Sequence, residues 1–138
     1  MMKRLILAAA AASLVFAGSV RALSPDAEIL CASIDVHECV DGGRCASVLP
    51  EAVNAPTFLR IDLQKKQVRV RDSQPPATAE HFEEVAGRIV MQGVQENRPD
   101  GSDGAAWTLM IEQDTGRMVA TAATRQAAVV IFGACTEL

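Results

Sequence analysis

The sequence has 138 residues, with 17 acidic and 13 basic side chains, a net charge of −4 and almost half its residues hydrophobic. That is chain enough for one core and not for several domains. An acidic balance argues against nucleic acid or an anionic membrane as partner, since both need a basic surface. One Trp and no Tyr leave little material for the aromatic platforms on which sugar sites are built.

Residues 1–22 read as an export signal. Met1-Met2-Lys3-Arg4 is a positive start, 5–17 is an apolar core, and Val20 and Ala22 fit the −3 and −1 positions of a small-residue cleavage site. The apolar stretch is too short for a membrane span of ~20 residues, and no later segment is apolar for as long, so no transmembrane segment is expected once the signal is removed. Cleavage leaves one domain over 23–138. Lys3, Arg4 and Arg21 go with the signal, so 10 basic residues face 17 acidic ones, a charge of −7. Export to the periplasm implies an oxidising compartment, in which Cys31, Cys39, Cys45 and Cys135 form disulfides.

Four cysteines allow three pairings. Val40-Asp41-Gly42-Gly43-Arg44 is a strong turn signal, and a turn there sets Cys39 opposite Cys45. The remaining pair, Cys31–Cys135, then ties the first strand to the last. No Cys-x-x-Cys is present and the spacing matches no zinc knuckle, so a redox or metal role is disfavoured. His37-Glu38-Cys39 places a ligand type beside a sulfur, with His37 and Cys39 on one side of a strand and Glu38 on the other. A surface histidine beside a structural disulfide accounts for it more simply.

Further along, Leu59, Ile61 and Leu63 alternate with Phe58, Arg60 and Asp62, as in a half-buried strand. A polar turn at 64–67 and a second alternation at 68–71 complete a hairpin. Arg60, Lys65, Lys66, Arg69 and Arg71 concentrate five cations on it. With Arg60, Arg69 and Arg71 on its outer face, it could dock a periplasmic protein or an anionic envelope component; an ordinary solvated sheet face is the simpler account. Pro75-Pro76 marks a loop. Residues 78–95 read as two strands around Ala86-Gly87, with a short helix over 78–86 as the alternative. Glu80, Glu83 and Glu84 are most simply a solvated face.

The stretch 96–105 is a polar turn. Asn97, Asp100, Ser102 and Asp103 offer oxygen ligands there, without the spacing of a calcium loop. Trp107, Leu109 and Ile111 then share a strand face, Asp114-Thr115-Gly116 turns with Gly116 placed for positive φ, and 118–124 and 127–135 are two more strands. Val129-Val130-Ile131-Phe132 is apolar on both faces, which marks the last strand as central or well covered. Small residues recur at Ala120, Ala122, Ala123, Ala127 and Ala128 and do not by themselves announce a pocket. The whole reads as an all-β antiparallel meander of seven to nine short strands, a small barrel or a two-sheet sandwich stapled by two disulfides.

Trp107-Thr108-Leu109-Met110-Ile111-Glu112-Gln113-Asp114-Thr115-Gly116-Arg117-Met118, the ending Phe132-Gly133-Ala134-Cys135-Thr136, and Phe58-Leu59-Arg60-Ile61-Asp62-Leu63 before a basic turn resemble a group of small exported proteobacterial proteins without an assigned activity. The similarity spans 31–136. It implies a periplasmic location and a β-rich fold, and it carries over no catalytic residue. Periplasmic lysozyme inhibitors are similar in size, compartment and class alone.

No Gly-x-Ser-x-Gly or other activated nucleophile is present, and no metal or cofactor motif. The function expected is therefore non-enzymatic, that of a periplasmic binding or accessory protein acting through its surface or a barrel mouth. Two alternatives stand beside it. One is an inhibitor of a cell-wall hydrolase, offering Arg98 or Arg44 from a loop. The other is a small hydrolase using His81 or His37, which requires one of them in a cleft beside a carboxylate.

Overall fold

The computed structural model describes residues 22–96 and 104–138. All of the expected export signal except Ala22 lies outside the described residues, as do Asn97, Arg98, Asp100, Ser102 and Asp103.

Among the described residues, ten strands build one antiparallel sheet: β1 Glu28–Val40, β2 Cys45–Ser47, β3 Phe58–Asp62, β4 Gln67–Arg69, β5 Ala77–Thr78, β6 His81–Val85, β7 Arg88–Gln95, β8 Ala105–Glu112, β9 Arg117–Ala123 and β10 Ala127–Glu137. A 3₁₀ turn, Pro50–Val53, lies between β2 and β3. The order is β5-β4-β3-β1-β10-β9-β8-β7-β6, with β2 beside β1. Strands β6 to β10 form the expected meander. The long β1 then pairs with β10 along its length and shares its other edge between β3 and β2.

The two edge strands follow each other in sequence, joined by Ala79 and Glu80. The Ala79 N–H donates to the Lys66 carbonyl (2.8 Å) and the Glu80 N–H to the Gln92 carbonyl (2.9 Å). The ends of the sheet are thereby brought together at one end of a curled half-barrel. Between barrel and sandwich, the sheet takes the barrel-like form. Residues 81–95 are two strands, not a helix, around a turn in which Ala86 (φ 50°) and Gly87 (φ 73°) both adopt positive φ, the geometry of a tight hairpin. Gly116 has φ 69°, as its turn requires.

The concave face holds the core. Ile29, Ile61, Ile89, Met91, Ile111 and Met118 are almost wholly buried there. Leu23, the first residue after the expected cleavage site, packs into the same core and donates its N–H to the Gln113 carbonyl at 2.8 Å.

Both disulfides form as the turn argument indicated, Cys31–Cys135 and Cys39–Cys45. In each, the two residues are direct cross-strand partners, with Cα atoms 3.9 and 4.0 Å apart. A β-bulge decides where they point. Ser33 opposes Gly133 and Asp35 opposes Phe132, leaving Ile34 as the extra residue. Before it, odd-numbered residues of β1 face inward (Ile29 and Cys31, both fully buried); after it, even-numbered ones do (Val36, 2% exposed). Cys31 therefore staples the core, and Cys39, at an odd position beyond the bulge, staples the outside.

Strand β10 is central, as its apolar run indicated, lying between β1 and β9. Among the described residues no second layer shields its convex side, and Phe132 is 43% exposed.

Candidate ligand cavity

The curl of the sheet leaves a cavity of about 450 Å³ on its concave side. Its walls follow from strand register. Val36, Ile131, Ala120, Leu109 and Met91 form one row across β1, β10, β9, β8 and β7. The next row is Glu38, Val129, Ala122, Trp107 and Gly93 on the same five strands. In both rows an alanine on β9 stands between larger side chains, Ala120 between Ile131 and Leu109 and Ala122 between Val129 and Trp107. A concave sheet with small residues at its centre cannot fill its own interior. Leu59 and Val68 of the β3–β4 hairpin form a further wall, and Val53, Ala55 and Pro56 close it from the connection after β2.

The small residues do not by themselves mark the pocket; register does. Ala120, Ala122 and Ala127 line the cavity, whereas Ala123 and Ala128 pair with each other on the convex face. Alternation, not composition, separates the two groups.

Trp107 is the cavity's aromatic wall. Its ring lies against Gly93 on the neighbouring strand, where an added Cβ would meet the indole at 2.6 Å. Gly93 is therefore the space into which the ring leans. The indole Nε1 is buried without a hydrogen-bond partner, an uncommon condition for a Trp donor.

Among the described residues two charged side chains line the cavity, Glu38 and Arg71. Arg71 follows β4, where strict alternation would put it outside with Arg69. Instead its Nη2 donates to the Asn54 carbonyl at 3.3 Å and to the Asn54 Oδ1, pinning the connection after the 3₁₀ turn onto the hairpin. Asn54 itself adopts φ 57° to offer both oxygens. Glu38 lies on the inner face as alternation indicated, and among the described residues no ion pair engages it.

The five hairpin cations do not form one surface. Arg60 and Arg69 are direct cross-strand neighbours on the convex side. Lys65 is paired with Asp62 at 2.7 Å, and Lys66 stands 5.4 Å from the Phe82 ring centre. Arg71 faces the cavity instead of joining the outer face. The Lys65 hydrogen bonds hold the Asp62 carboxyl below its ordinary value, and the same pairing raises Lys65.

Both histidines lie on the convex side, and neither lines a cavity. His81 is 3.5 Å from Glu83. His37 Nε2 is 2.8 Å from the Asp35 carboxylate, which also accepts from the Ser47 hydroxyl at 3.3 Å. The carboxylate sits between histidine and serine, so the imidazole cannot take the serine proton, and the order is wrong for a nucleophilic triad. The His37 bond holds Asp35 below the usual carboxylate range. Arg44 lies exposed in the β1–β2 turn. Among the described residues, no cluster of three or more metal-ligating side chains occurs.

Comparison with protein-family models, with curated proteins and with solved structures finds no match.

Proposed function

We propose that this protein is a non-enzymatic binding protein of the cell envelope that takes a small, largely apolar ligand into the concave side of its sheet. The observation that carries the reading is the cavity. At about 450 Å³ it falls within the ~300–1,000 Å³ of small-molecule sites, and like them it joins an apolar body to a few polar groups. Curled sheets of eight or nine strands are about the smallest that leave room for one such ligand. The export signal read from residues 1–22 supports a periplasmic location, and the two disulfides are in keeping with an oxidising compartment.

The chain supplies its own reporter. Trp107 is the sole Trp and no Tyr is present, so intrinsic emission reads the cavity wall. Titration with the neutral dye N-phenyl-1-naphthylamine is expected to quench Trp107 by energy transfer, saturating at one dye per chain. Ala122→Leu, which fills the centre of the second row, is expected to weaken binding at least tenfold. Ala123→Leu, one residue on and facing outward, is expected to leave it unchanged. Linear, non-saturating quenching, or equal loss in both variants, would reject the reading.

A further inference from the structure

We infer that the ligand is an amphiphile carrying a protonated amine, seated with the amine on Glu38 and its apolar body toward Trp107; the inference rests on the cavity being a binding site. Glu38 stands in the lining with neither a hydrogen bond nor an ion pair among the described residues. Its carboxylate is half-buried in a mostly apolar lining, where a cationic group meets less competition from water than at an open surface. The β1 bulge at Ser33–Asp35 sets it facing inward, in line with Val36.

Arg71, the other charge in the lining, is already engaged. Its contacts to both oxygens of Asn54 give it a structural task. Among the described residues Glu38 has none, and so is the charged group left to orient a guest. Register places Glu38 and Trp107 at one level of the cavity, three strands apart (β1 to β8 through β10 and β9). At ~4.8 Å per strand the flat separation is ~14 Å, less across the curl. An amine at Glu38 therefore lays an attached chain across Ala122 toward the indole. The whole chain favours the same sign of guest, with 17 acidic residues against 13 basic ones, since an acidic protein draws cations in and repels carboxylates.

The test uses three probes of equal chain length, each below its micellar concentration: decylamine, decanol and decanoate. Each displaces N-phenyl-1-naphthylamine from the full mature protein at pH 7, and Glu38→Gln and Arg71→Gln are run in parallel. Decylamine is expected to bind at least tenfold more tightly than decanol, with decanoate the weakest. Glu38→Gln is expected to abolish the amine preference and leave decanol affinity unchanged. Arg71→Gln is expected to keep the order of the three. Decanoate binding most tightly, or an amine preference that survives Glu38→Gln, would overturn the inference and leave the cavity reading standing. Failure of all three probes to displace the dye would overturn both.

Discussion

Removing each disulfide separately should destabilise the fold very unequally. Cys31–Cys135 spans 104 residues and Cys39–Cys45 spans 6. On the loop-entropy account, cross-linking the longer loop stabilises by about 4.7 kcal/mol and the shorter by about 2 kcal/mol. The small loop lies wholly within the large one, so removing it barely changes the large loop's effective length. Packing widens the gap. Cys31 is fully buried on the concave face, so its replacement also forfeits core contacts, whereas Cys45 is exposed. Urea unfolding of Cys31→Ala/Cys135→Ala and of Cys39→Ala/Cys45→Ala is therefore expected to show losses differing by about 2–3 kcal/mol, the first being comparable with the whole stability of a small domain. Should the outer pair cost as much as the inner one, the assignment of Cys31–Cys135 as the main staple would be wrong.

Deleting Ile34 should be tolerated, because it is the bulge residue, 73% exposed, and both flanking registers survive without it. Deleting Leu30 should not be, since a one-residue slip without a bulge to absorb it turns every following side chain to the other face; disulfide mapping of the two deletions checks this. Gly133→Ala should lose about 1–3 kcal/mol in urea, because a Cβ there meets the Ala32 carbonyl oxygen at 2.3 Å; a loss under about 0.5 kcal/mol would contradict that contact. Asp62 has a lowered pKa through its hydrogen bonds to Lys65, so the stability it adds is present above the ordinary 3.8 and is lost as pH falls through its lower folded value. Asp62→Asn should therefore be weaker than wild type at pH 7 and should converge with it in acid. A gap unchanged between neutral and acid pH would remove Asp62 as the cause.

Much of the fold was legible because strand alternation and turn chemistry are local. The 58–69 hairpin, the turn at Ala86-Gly87 and the Cys39–Cys45 pair all followed from residues within a few positions of one another, and Cys31–Cys135 was then the pair that remained. The cavity did not, because its shape depends on which residues become neighbours across five strands. Ala120 and Ala122 look like any small strand residues until register sets them between Leu109 and Ile131 and between Trp107 and Val129. Gly93 opposite Trp107 carried the same signal, a small residue beside a large one, but the long turn at 96–105 left the register between their strands open. The β1 bulge was hidden for a similar reason. Without it Cys31 and Cys39 would share a face, and the extra residue shows only against β10. Arg71 escaped alternation because it lies just beyond β4, where the pull of Asn54 outweighs the pleat.

The central claim is that the concave face, and not the apolar convex one, takes the ligand. The convex face also carries an apolar row, Phe132, Val119, Met110 and Val90 across β10 to β7, so the two faces must be told apart directly. Methyl NMR of the protein titrated with decylamine does so, because neighbouring residues of β9 face opposite ways. The account predicts shifts on the concave methyls, Ala120, Ala122, Val129, Leu109 and Ile131 among them, with Val119, Ala123 and Met110 unmoved. Shifts on Val119 and Met110 with Ala120 and Ala122 silent would place the ligand on the outside and contradict it.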